Sequence, residues 1–161
     1  MTRVLKLVVV TSLALGLTAT AAMAANAHFV GGFTITKSTT TGLTVSGKAA
    51  GLGNGPVEAF LEADRVVAEY ECVNKGGNVA PGQPLVQDEV TGPTQNITPR
   101  NGQITFSPNL PAPATPSSAD TCPNGNWRVR LLSLTYFGVV LHVHQLSDNV
   151  DLEANLGDID P

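Results

Sequence analysis

Between Val57 and Cys72 the chain alternates: Val57, Ala59, Leu61 and Ala63, then Val66, Ala68, Tyr70 and Cys72, fall on one face of an extended chain, with Phe60 and Val67 the apolar exceptions on the other. Ala- and Glu-rich composition argues for a helix here. A helical stripe through 57, 60, 61, 64, 67, 68, 71 and 72, however, would bury Asp64 and Glu71 and expose Val66 and Tyr70. Period two therefore wins, and the shift of phase at Asp64-Arg65 predicts a hairpin turning there.

Other segments repeat the signal. Phe33–Ser38, Leu43–Ala49, Leu85–Val90, Thr94–Thr98, Gln103–Ser107, Trp127–Leu134 and Val139–Gln145 are β-branched or alternating runs. Gly51–Pro56 and Pro99–Gly102 read as turns, Asn74–Pro84 and Pro108–Asn126 as loops, and Tyr136–Gly138 as a bend. With 16 Gly and 11 Pro in 161 residues, a helical bundle is disfavoured. The fold class expected is all-β: an antiparallel Greek-key, immunoglobulin-like sandwich of about seven to nine short strands. It spans residues 28–146, followed by an acidic tail, 147–161, that adds an edge strand at Val150–Glu153 and then frays. Trp127 follows both cysteines instead of lying between them, unlike a true immunoglobulin domain. It is expected to face the core with Val129 and Leu131.

Residues 1–27 have the three-part layout of a secretory signal peptide: Arg3 and Lys6, the apolar run Leu7–Leu17, then small residues. Cleavage after Ala24 keeps the spacer short; cleavage after Ala27 would leave His28 first. The apolar run is too short to span a bilayer, so a secreted, extracellular product is expected. In that compartment Cys72 and Cys122, the only cysteines, are expected to pair. The formal charge of −4 and a charged fraction of 14% exclude a basic nucleic-acid binder.

The set Ala27–Val30, Leu43–Lys48, Gly51–Asn54, Cys72–Asn78 with Pro81-Gly82-Gln83, and Cys122-Pro123-Asn124 before Asn126-Trp127 resembles a group of small bacterial secreted proteins. The resemblance implies a β-sandwich and export, and no assigned activity.

Two constellations could hold a metal. His142 and His144 are two apart in a strand and share a face. If His28 were the N-terminus, its amino group and ring could grip copper together with one of them, with Tyr136 or Tyr70 near the axial position. In the expected hairpin, Glu58 lies opposite Glu71, Phe60 opposite Glu69, and Glu62 opposite Val67. Such an acidic patch would need Ca²⁺ or an arginine to offset its repulsion. Otherwise these residues are solvated strand faces, and no cofactor is expected. The carboxylates Asp148, Asp151, Glu153, Asp158 and Asp160 lack EF-hand spacing, and Asn96-Ile97-Thr98 matches only the short glycosylation pattern. There is no serine-nucleophile, zinc-protease, phosphate-loop or dinucleotide motif. The reading is a non-catalytic extracellular binding or structural module whose partner is an unknown extracellular ligand or a cell-surface polymer. Copper binding and a Ca²⁺-stabilised surface module are the alternatives.

Overall fold

The computed structural model describes residues 26–160. The expected export signal lies outside them except for its last two positions, Asn26 and Ala27.

The first sheet is built on β3 (Gly42–Ala50). Strands β1 (His28–Phe29) and β2 (Thr34–Ser38) pair with its two halves. Strands β8 (Gln103–Phe106) and β9 (Asn109–Leu110) continue one register along the same stretch, and so lie on its other edge. In the second sheet β4 (Val57–Val73) and β10 (Arg128–Gln145) lie side by side. The outer edge of β10 holds β11 (Val150–Ile159). The outer edge of β4 holds three pieces end to end: β5 (Val79–Pro81), β6 (Leu85–Thr91) and β7 (Gln95–Ile97). All pairings are antiparallel. The chain crosses between sheets after β3, β7 and β9, which is Greek-key, immunoglobulin-like connectivity. One short helix, α1 (Ser118–Thr121), is capped by Ser117, whose hydroxyl accepts from the Asp120 N–H.

Two expectations need correction. Asp64-Arg65 is not a turn; Val57–Val73 is one strand. Nor does the chain break at Tyr136–Gly138, because β10 runs through it. A two-residue hairpin needs residues at positive φ, and neither Asp64 nor Arg65 is there. Instead, alternation slips by one residue in neighbouring strands at the same level. Arg65 pairs with Phe137 and Asp88, and the register along β4 and β10 is unchanged from Glu58–His144 to Glu69–Ser133. The conformations that absorb the slip sit beside it: Gly138 at φ 60°, Gly157 at φ 72° and Glu89 at φ 52°. A Cβ on Gly138 would collide with the Asp64 carboxylate. The face assigned from sequence survives, since Val57, Ala59, Leu61, Ala63, Val66, Ala68, Tyr70 and Cys72 are all buried. A slip of alternation shared by paired strands and a hairpin turn preserve the same face, so burial periodicity alone could not separate them.

The core lies between the sheets. Tyr136, Phe106, Leu43, Leu61, Leu110, Leu134 and Leu141 are its largest apolar members. Gly47 pairs with Phe106, and a Cβ there would come within 2.7 Å of that ring. The missing side chain makes room for the cluster of Phe29, Phe33 and Phe106, with edge-to-face contacts at 5.1 and 6.0 Å. The acidic segment also departs from expectation. It does not fray after Glu153 but stays strand to Ile159, its alternate residues Leu152, Ala154, Leu156 and Ile159 packing on the core. Its carboxylates Asp151, Glu153 and Asp158 are exposed, as suits an edge strand that must resist further pairing.

Tyr70 and Tyr136, the only tyrosines, are 3% and 0% exposed. Burial pushes both phenols above the ordinary value of 10. A raised acid means that the phenols' contribution to stability is fully present below about pH 10 and is lost as pH rises above it through the raised folded-state value. In an alkaline titration, phenolate absorbance should therefore appear together with loss of β-sheet dichroism, not before it.

Candidate functional site

The histidine and acidic constellations meet on the outer face of the second sheet, though not as the hairpin would have arranged them. His142 and His144 alternate with buried Leu141 and Val143, so their rings turn outward. Cross-strand partners supply the rest: Phe60 opposes His142, Glu58 opposes His144, and β11 brings Glu153 and Asp151 to the other side. The His142 ring stacks on Phe60 at 4.8 Å and 10°, and His144 meets Phe60 edge-on at 5.8 Å. His142 Nε2 lies 3.3 Å from Glu62 and its Nδ1 3.2 Å from Glu153; His144 Nε2 lies 2.7 Å from Asp151.

Both nitrogens of His142 thus face carboxylates on the two strands flanking β10, tying β4 to β11. The cluster is thus a set of close histidine–carboxylate contacts between neighbouring strands of the second sheet.

The other expected partners are elsewhere. His28 is on β1 of the first sheet, exposed, with Nδ1 2.7 Å from the Asn26 carbonyl oxygen. Its neighbour Phe29 packs on the core, so His28 faces away from it, on the opposite sheet from His142 and His144. Tyr70 and Tyr136 point into the core and not toward the histidines. The copper brace is therefore not assembled, and among the described residues no group of three or more His, Cys, Asp or Glu is placed to hold a metal. The acidic patch is also dispersed. Glu58 and Glu71, thirteen residues apart on one strand, are separated by about 40 Å at the usual strand rise. Glu71 pairs with Arg130, Glu69 accepts from Ser133 Oγ at 3.0 Å, and Glu62 contacts His142. Residues of β10 thus supply partners for Glu62, Glu69 and Glu71.

A second site lies at the other end of β4, where the sequence placed only a staple. Cys72 and Cys122 form the disulfide, with Cα atoms 5.7 Å apart. Together with the pairing of Val73 and Arg128 it sets the Asn74–Asn78 turn beside the Cys122–Trp127 segment. Both are pre-shaped by asparagine. Asn74 Oδ1 accepts from the Gly76 and Asn78 N–H groups at 2.9 Å, with Gly77 at φ 79°. Asn124 Oδ1 accepts from the Asn126 N–H at 3.1 Å. Between the turns is a concavity of 350 Å³ lined by Asn74, Lys75, Gly76, Asn124, Asn126 and Trp127.

Trp127 corrects the expectation that it packs the core. It is half-exposed, stands outside the buried cluster and precedes the first residue of β10. Its N–H donates to the Asn124 carbonyl, so it closes a turn instead of opening a strand. The Asn-Gly-Asn before it was the signal available in the sequence.

Comparison with family models, with curated proteins and with solved structures found no match.

Proposed function

We propose that the protein is a non-catalytic, secreted binding module whose partner is a cell-surface polymer. The observation that supports this most is the concavity beside the disulfide. It places the sole tryptophan, kept out of the core, between two turns that their own asparagines hold in shape. Ligand sites combine an aromatic surface with a few fixed polar groups in this way, and pre-shaped turns reduce the ordering cost of binding. Export fits the disulfide, which oxidising compartments sustain. No helix among the described residues is long and apolar enough to cross a membrane.

The test is a binding screen of the purified protein against cell-wall polymers and glycans. Saturable binding to at least one is expected; no binding across the screen would overturn the reading.

A further inference from the structure

The polar groups around Trp127 are unequal in kind. Asn74 Oδ1 accepts from two backbone N–H groups and Asn124 Oδ1 from one. Among the described residues no hydrogen bond engages their Nδ2 groups, and no salt bridge engages Lys75. The side chains left over are thus mainly donors, with one ammonium group, and no carboxylate lines the concavity. Arg128, the residue after Trp127, is exposed but lines a separate concavity with Val73, Val129 and Arg130. A donor-rich, acceptor-poor site selects a ligand rich in acceptors and negatively charged. An indole beside it offers a flat apolar surface of the kind that the C–H face of a sugar ring covers.

We infer that this concavity binds an acidic sugar of a surface polysaccharide: the pyranose ring lies on Trp127, and its carboxylate is held by Lys75 with the Nδ2 groups of Asn74 and Asn124. The inference rests on the binding-module reading and names that module's ligand and contacts. It also places binding some 40 Å from the histidine cluster along β4, so the two regions are separable by mutation.

The chain has one tryptophan, so its fluorescence reports this site alone. Titration of the whole protein with oligogalacturonate should give a saturable spectral change, and dextran oligosaccharides of similar length should give a much weaker one. Lys75→Met should weaken oligogalacturonate binding roughly tenfold, the scale of a lost charge-assisted hydrogen bond. It should leave the dextran response unchanged. Trp127→Ala, followed by calorimetry, should reduce binding by at least about tenfold, and His142→Ala should not alter it. Circular dichroism checks that each variant is folded. Equal responses to oligogalacturonate and dextran would overturn the acidic class. Oligogalacturonate binding that survives both Lys75→Met and Trp127→Ala would overturn the site. If the polymer screen finds a ligand but acidic glycans fail to bind, this inference falls and the module reading stands. If nothing in either panel binds, both fall.

Discussion

Replacing Cys72 and Cys122 together with alanine should lower stability by about 4 kcal/mol, the chain-entropy value for a loop of this size. The bond joins residues 50 apart in sequence, and Cys72 is fully buried. For a domain of this length, the loss corresponds to a melting point roughly 12 °C lower. A second effect separates this bond from a mere staple. The disulfide helps to set the Asn74–Asn78 turn against the Cys122–Trp127 segment, so oligogalacturonate affinity should fall even at temperatures where the variant is fully folded. A melting point within 2–3 °C of wild type would mean that the sheets hold Cys72 and Cys122 together without the bond.

The second large effect is expected at Gln145, which with Thr121 is one of two buried polar residues among those described. Its Oε1 accepts from the Gly53 N–H at 2.8 Å, and its Nε2 donates to the Gly55 carbonyl at 2.6 Å. One side chain thereby satisfies two backbone groups of the connection between β3 and β4. A Cβ at Gly53 would collide with Asp148, and one at Gly55 with Ser147. Gln145→Leu keeps the volume and strands both groups. An unpaired buried backbone group costs about 1–3 kcal/mol, so the variant should lose about 3 kcal/mol. Leu146→Ala, at a neighbouring side chain that is 82% exposed, should change stability by no more than about 0.5 kcal/mol. Chemical denaturation of the two variants compares them directly, and similar midpoints would remove the role assigned to Gln145.

The sequence revealed faces better than connections. Alternation identified every buried residue of β4, because a side chain's face depends only on its own strand. Whether Asp64-Arg65 reverses the chain depends on what lies beside it. Only the matching slip at Phe137-Gly138 on β10 shows that the strand continues. For the same reason the acidic residues were correctly placed on an outer face and incorrectly paired with one another. Their partners, Arg130, Ser133 and His142, come from β10, some 70 residues away in sequence. Trp127 departs from the alternation of β10 for a local reason: it closes the turn that Asn124 forms, one residue before the strand begins. The site around it combines two loops that the end of the β4–β10 ladder and the disulfide bring together, and no spacing rule within either loop signals that meeting.

The continuity of Val57–Val73 underlies the whole account, since it carries Cys72 and the Trp127 concavity to the opposite end of the molecule from the histidines. Spin labels introduced at positions 58 and 71 through a non-cysteine chemistry, with their separation measured by pulsed dipolar spectroscopy, test it directly. A continuous strand gives a distribution centred near about 40 Å, thirteen residues at the usual strand rise. A hairpin turning at Asp64-Arg65 would set the two positions opposite each other, about 5 Å apart between Cβ atoms, and a short-distance distribution would contradict the architecture described above.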